Sequence, residues 1–192
     1  MSAAYFISPA VFLADTLFSL YTFAVLLRFL LQWVGADYYN PVCQFLVKVT
    51  HPPLRLLRRV VPSIGRVDTA SLVLLTGLEM ANGYLRFLLQ GASITLASLS
   101  VWAVMQLIEL VLNVFFFAIM AHVVLGWLGT RPRHPGISLI NSLAEPLLAP
   151  ARRWLPVVGG FDFSPMVPLI LIELAKMMIL PPLHQWINWL NL

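Results

Sequence analysis

Long apolar stretches separated by short polar segments run through the whole of this sequence. Residues 10–34 and 69–89 are each long enough for an α-helix to cross a hydrocarbon core about 30 Å thick. The third stretch, residues 94–127, is too long for one straight crossing, so we expect it to tilt or to begin along the outer interface. The pattern predicts an all-α integral membrane protein with four spans, five being the alternative count.

The chain contains two copies of one unit. An offset of 94 residues, which carries Trp33 onto Trp127, aligns the two halves without a gap. The same offset aligns identical residues in the pairs Gly35/Gly129, Pro41/Pro135, Pro52/Pro146, Arg58/Arg152, Arg59/Arg153, Pro62/Pro156, Gly65/Gly159, Asp68/Asp162 and Glu79/Glu173. We predict a tandem parallel repeat, residues 1–93 and 94–192, in which a short basic amphipathic interfacial helix joins two transmembrane helices in each copy.

Composition and charge identify the bilayer as the solvent and the membrane surface as a partner. The chain is 60% hydrophobic and 10% charged, whereas a soluble domain carries about 25% charged residues. The net charge of +4 is concentrated in two segments, which favours anionic headgroups over nucleic acid as the partner. Nine of the 12 Lys and Arg lie there: Lys48, Arg55, Arg58, Arg59, Arg66, Arg131, Arg133, Arg152 and Arg153.

The position of these basic segments predicts the orientation in the membrane. Positive charge favours the cytoplasmic side, so both segments are expected there. Because each copy has two spans, the copies run parallel and both termini are expected outside, unlike an inverted-repeat transporter. We expect a multi-pass protein with cytoplasmic basic loops.

Each basic segment has amphipathic spacing. After Pro52 and Pro53 we expect an interfacial helix of about nine residues, because apolar side chains recur at helical spacing opposite the arginines. Its apolar face is Leu54, Leu57 and Val61, and its basic face is Arg55, Arg58 and Arg59; the second copy has Leu148 and Leu155 with Arg152 and Arg153. Two interpretations are open: a topology anchor, or a docking site for a protein partner or specific lipid.

Asp68 and Asp162 each follow a turn and precede a span. A carboxylate at the first turn of a helix can accept backbone N–H bonds and complement the helix dipole. We expect both residues to cap the following helix, with ion coordination or an ion pair to the arginines as alternatives.

Glu79 and Glu173 are expected inside the membrane. Each lies 11 residues beyond the capping aspartate, which is roughly 16 Å and near the midplane. Carboxylates at this depth are costly and often functional, so the two acids are candidates for an ion or proton pathway. Structural alternatives are a Glu173–Lys176 pair, and protonation of Glu79 or its pairing with Arg28 or Arg86. Polar lining is sparse, the nearby amides being Asn82, Gln106 and Asn113.

The sequence offers no support for an enzyme or a cofactor site. A single cysteine, Cys43, excludes an internal disulfide framework and any cysteine-rich metal centre. His122 is interpreted as a core histidine, and His51, His134 and His184 lack metal-ligand spacing. No catalytic triad, P-loop or dinucleotide motif occurs. We therefore expect no catalytic residues, no metal and no cofactor.

A set of short motifs resembles the YggT family over nearly the whole chain. The first copy carries Leu27-Arg28-Phe29, Trp33, Tyr39-Asn40-Pro41, the Arg58-Arg59 pair and Gly65 to Asp68; the second echoes them at Glu145-Pro146 and Asp162-Phe163-Ser164-Pro165. The resemblance implies a bacterial inner-membrane protein linked with osmotic or potassium homeostasis. The related YlmG-type proteins are linked with division, nucleoid placement or cytochrome assembly. His122 in place of Arg28, and His134 in place of Asn40, depart from the duplicated pattern.

Two functional hypotheses follow. In the first, the protein supports cation homeostasis as an oligomeric ion-permeable element, or its modulator, using Glu79 and Glu173. In the second, it is a scaffold or assembly factor that recruits a membrane protein partner complex through the basic interfacial surface formed by Arg55, Arg58, Arg59, Arg152 and Arg153.

Overall fold

The computed structural model describes residues 4–65, 67–91, 93–128, 134–155 and 162–190, and these residues form an all-helical protein. An isolated bridge between Ile64 and Val67 is the only β-type pairing among them. The six helices are α1 (Ala4–Trp33), α2 (Pro41–Leu57), α3 (Thr69–Leu89), α4 (Leu96–Trp127), α5 (Pro135–Trp154) and α6 (Met166–Leu190). The predicted all-α class is confirmed.

Four helices are long and apolar enough to cross a membrane. The candidate spans are Val11–Trp33, Thr69–Leu89, Leu96–Trp127 and Met166–Leu190. The long third stretch is one continuous helix of 32 residues. Such a helix is about 48 Å long, so it must tilt or extend beyond a hydrocarbon core of about 30 Å. Large apolar side chains point outward from the bundle, as lipid-facing surfaces require: Phe12, Leu17, Leu20, Phe117, Ile170, Leu171, Leu174 and Met178.

The short basic helices are longer than the sequence predicts. α2 has 17 residues and begins at Pro41, because the Asn40 side chain accepts the Val42 N–H and proline suits the first helical position. Both Pro52 and Pro53 therefore lie inside the helix. Pro53 cannot donate to the Val49 carbonyl, and the Tyr21 hydroxyl lies 3.5 Å from that oxygen instead. The expected helix of about nine residues, starting after Pro52, is corrected accordingly.

The arginines also sit differently from the expectation. α2 ends at Leu57, Arg58 is its C-cap residue and Arg59 follows in a turn, so only Arg55 lies within the helix. In the second copy, Arg152 and Arg153 occupy the last turn of α5. α2 ends three residues beyond Leu54, its last buried residue.

α4 is the central helix of the bundle. It packs against α3, α5 and α6, while α1 packs against α3 and α2. No Cα atom of α3 lies within 8 Å of one in α6 among the described residues, although Met80 of α3 and Ile187 of α6 join the same apolar cluster. The main core joins α1, α4 and α5 through buried residues that include Val25, Leu26, Leu30, Ile119, Leu143 and Leu148.

The two basic helices meet at one end of the bundle, here called the basic end and defined by α2 and α5. α2 contacts α5, and the Asn40 Nδ2 donates to the Pro135 carbonyl at 2.8 Å. Asn40 therefore caps its own helix and ties the start of α2 to the start of α5.

Candidate functional site

Glu79 lies at the middle of α3, on the face that the helix buries. That face is formed by Ala70, Ser71, Leu75, Glu79, Asn82 and Gly83, which recur at helical spacing. The residue is only 6% exposed. A carboxyl group at this position is removed from solvent and from the lipid-facing surface. It therefore needs hydrogen-bonding or charged partners inside the bundle.

No cation neutralises Glu79 among the described residues. Arg28, one of the two arginines expected to pair with it, donates instead to Thr50 Oγ1 at 2.8 Å. Arg86 forms no ion pair with it either. Asp15 on α1 acts on Glu79 with charge of the same sign.

Two buried oxygen atoms accompany the Glu79 carboxyl. The Thr22 hydroxyl approaches it from α1, and Asn82 lies one turn away on the same face of α3. Within the described residues, Thr22 Oγ1 and Asn82 Oδ1 are buried without a hydrogen bond of ordinary geometry. Because buried polar atoms are normally bonded, Asn82 Oδ1 has unused capacity to accept a hydrogen bond. Glu79, Thr22 and Asn82 are here called the oxygen cluster.

Glu173 has a different environment. Its side chain is 44% exposed, and its Oε1 accepts from Lys176 Nζ at 2.7 Å, one turn along α6. Lys176 Nζ also lies 5.0 Å from the centroid of the Phe116 ring. Because α3 and α6 both pack on α4 and no Cα atoms of the two helices come within 8 Å of each other among the described residues, the fold does not bring the two predicted acids together.

Asp68 joins the end of α2 to the start of α3. A tight turn, with Gly65 at φ +60° and paired backbone bonds between Ile64 and Val67, returns the chain toward Arg58. The Asp68 carboxylate, 3% exposed, then accepts from Arg58 Nη2 and from Ser71 Oγ. Burial alone would raise the pKa of Asp68, but these hydrogen bonds hold it below its ordinary value.

Asp162 is more exposed than Asp68, and its arginine partner, Arg152, also pairs with Glu145. Its Oδ1 accepts the Ser164 N–H at 2.9 Å, and its Oδ2 lies 3.6 Å from Arg152 Nε. Arg152 also donates to Glu145 at 3.1 Å. Hydrogen bonds from Ser164, followed by the charge of Arg152, lower the pKa of Asp162. Both aspartates form ion pairs, while Asp68 makes no side-chain cap bond to α3.

The remaining basic residues divide into exposed and undescribed groups. Arg55, Arg59 and Arg153 are exposed and form no ion pair with the described part of the chain. Arg66, Arg131, Arg133 and the expected turn at residues 156–159 lie outside the described residues. No group of three His, Cys, Asp or Glu side chains suited to a metal ion occurs in the described ranges.

Sequence reasoning missed Thr22 as a neighbour of Glu79. A sequence signal was available, because the 94-residue offset pairs Thr22 with Phe116 and Asn82 with Lys176. The acid is therefore retained in both copies, but its neighbours change from oxygen-bearing residues to an aromatic and a cationic residue. Glu79 and Glu173 are thus expected to lie in different environments.

Comparison with known proteins identifies the repeat independently. The CCB3/YggT family profile matches residues 7–89 and again residues 101–183, which confirms the duplication and its 94-residue offset. An uncharacterised protein of Pseudomonas aeruginosa is 40% identical over 175 residues, covering 90% of this chain and 89% of that protein. The uncharacterised protein YggT of Escherichia coli K12 is 36% identical over 168 residues, 86% of each chain. No solved structure matches the chain.

Proposed function

Since the chain belongs to the CCB3/YggT family, we propose that it is a non-enzymatic protein of the bacterial inner membrane that supports osmotic or cation homeostasis. It acts as an oligomeric cation-permeable element or as the modulator of one. In this proposal the two copies run parallel, the basic end faces the cytoplasm and both termini lie outside, as the positive-inside bias favours.

The observation that carries the proposal is the oxygen cluster of Glu79, Thr22 and Asn82. A carboxylate, a hydroxyl and an amide carbonyl are the ligand types that alkali and other hard cations prefer. Asn82 Oδ1 is buried without a hydrogen bond among the described residues, the Thr22 hydroxyl interacts with the Glu79 carboxyl, and no Lys or Arg pairs with Glu79 there. A cation bound at this point would neutralise the carboxylate and satisfy both neutral oxygens.

The pathway proposed here uses the first copy. Glu79 carries it, with Asp15 adding negative charge on α1, whereas Glu173 is already neutralised by Lys176. One chain with four spans is too small to enclose a wide pore, so the conducting form is a homo-oligomer or a complex with a membrane protein partner.

Potassium release from liposomes tests this proposal. The full-length native protein, Glu79→Gln and the matched variant Glu173→Gln are reconstituted at equal density in potassium-loaded liposomes. We expect native flux to persist in Glu173→Gln and to fall to the protein-free level in Glu79→Gln. Absence of flux from folded native protein would exclude conduction by the homo-oligomer, and equal loss in both variants would contradict the assignment of the pathway to Glu79.

A second candidate function is supported by the basic end. Arg55, Arg59 and Arg153 are exposed and lack ion pairs within the described ranges. α2 also exposes the apolar residues Phe45 and Leu56. In this alternative the surface recruits a partner complex to the membrane. Reversing the charge at Arg55, Arg59 and Arg153 should then abolish co-purification of the partner. Glu79→Gln should leave that co-purification unchanged.

A further inference from the structure

A basic cavity of about 480 Å³ lies between α1 and α2 in the first copy. Its lining includes Arg28, His51 and Arg58, together with the polar side chains of Gln32 and Tyr38. Small-molecule sites usually have volumes in this range and a few convergent polar groups. The oxygen cluster at Glu79 is not part of this lining, so the cavity is a separate candidate site.

Arg28 is the unusual member of the lining because it is 8% exposed and has little compensation. Its Nη1 donates to Thr50 Oγ1, but a guanidinium has five N–H donors. It forms no ion pair with any described residue. The carboxylate that attracts it, Asp68, already accepts hydrogen bonds from Arg58 and Ser71.

Only one of the two arginines that line the cavity has a bonded carboxylate. Asp68 pairs with Arg58, and the other carboxylate near the lining, Asp37, is exposed and acts on Cys43, so Arg28 has no bonded counter-charge among the described residues. A buried guanidinium without its own counter-charge is costly. An anion in the cavity would supply that counter-charge. It would also accept hydrogen bonds from the N–H groups of Arg28 that have no partner among the described residues.

The corresponding positions in the second copy compensate themselves. His122 replaces Arg28 and Glu145 replaces His51. His122 Nδ1 is hydrogen bonded to Asn141 at 2.8 Å, and its Nε2 lies 3.2 Å from Arg152. Arg152 is also held by Glu145 and Asp162, so its charge is met from within the chain.

We propose that the cavity lined by Arg28, His51 and Arg58 binds a phosphate-bearing anion, either the headgroup of an anionic phospholipid or free inorganic phosphate. Guanidinium groups match the geometry of phosphate oxygens and bind them with paired hydrogen bonds. Arg28 lies five residues before the end of α1, or roughly 7.5 Å along the helix. That depth is within reach of a headgroup phosphate at the basic end.

The test compares lipid and phosphate binding by the full-length protein. Native mass spectrometry measures binding of phosphatidylglycerol and phosphatidylcholine, and titration calorimetry measures binding of inorganic phosphate. The variants are Arg28→Gln and His51→Glu, the latter introducing the second copy's residue at an exposed position that should not impair folding. Arg55→Gln is the matched control, because it removes one unit of charge outside the cavity lining.

We expect both cavity variants to weaken anion binding about tenfold and Arg55→Gln to change it by less than about twofold. Preference for phosphatidylglycerol without phosphate binding identifies the lipid headgroup as the ligand. Phosphate binding with the same variant pattern identifies free phosphate. Equal binding of the two lipids with no phosphate binding would overturn the proposal, as would equal weakening by His51→Glu and Arg55→Gln.

Discussion

The two copies share a helical pattern but differ in which of their charged side chains form ion pairs. In the second copy, Lys176 neutralises Glu173, while Glu145 and Asp162 neutralise Arg152. In the first copy, Glu79 has no cationic partner and Arg28 has no anionic partner among the described residues. The repeat therefore supplies the scaffold twice, but the charged partners of the retained acid are not the same in the two copies.

Substitutions at a few paired positions account for this difference. Thr22, Thr50 and Asn82 correspond to Phe116, Ala144 and Lys176. These changes remove two hydroxyl groups and replace a neutral amide with a cation. They alter the partners of the retained acid and of the residue at position 28, where the second copy has His122, without changing the order of the helices.

The largest difference in stability between matched variants of the two copies is expected at the two aspartates. Asp68→Asn should destabilise the protein by about 3 kcal/mol, because it leaves Arg58 and Arg28 beside each other without the buried carboxylate. Asp162→Asn should cost less than about 1 kcal/mol, because that side chain is 39% exposed. Thermal unfolding in one detergent measures both, and similar costs would contradict the contrast.

A smaller contrast is expected at Gly83 and its counterpart Met177. A Cβ atom on Gly83 would come within 2.6 Å of the Trp102 ring, whereas Met177 is exposed. Gly83→Ala should cost about 2 kcal/mol by forcing α3 and α4 apart, and Met177→Ala less than about 0.5 kcal/mol. The same unfolding assay compares them, and an equal response would mean that α3 does not approach α4 closely.

The smallest effect concerns pH. Since the pKa of Asp68 is lowered in the folded protein, its stabilisation is present above the unfolded value of about 3.9 and is lost as the pH falls through the folded value. The difference in unfolding temperature between native protein and Asp68→Asn should therefore be constant from pH 7 to 5 and shrink below about pH 4. A difference that stays constant down to pH 3 would exclude this titration.

The sequence predicts much of the fold because apolar length and duplicated motifs are local properties. Residues 69–89 are found as α3. The sequence leaves open whether residues 94–127 form one helix or two, and the structure has the single helix α4. The length of α2 is predicted wrongly, because prolines were expected at the start of a helix rather than within it. The Asn40 cap allows the helix to begin at Pro41.

The candidate sites are less predictable because they depend on which faces meet. The sequence identifies Glu79 and Glu173 as equivalent, but burial against α1 or exposure on α6 depends on tertiary packing. The Arg58–Asp68 pair is predicted as an alternative to capping, and the structure contains it. The approach of Thr22 to Glu79 requires the α1–α3 contact, which periodicity alone cannot provide.

Infrared difference spectroscopy tests most directly the central claim, that Glu79 binds a cation and its counterpart Glu173 does not. Exchange of choline for potassium on the native protein should change the carboxylate stretching bands. The account predicts the same change in Glu173→Gln and none in Glu79→Gln. A potassium-dependent band that survives in Glu79→Gln and disappears in Glu173→Gln would contradict it.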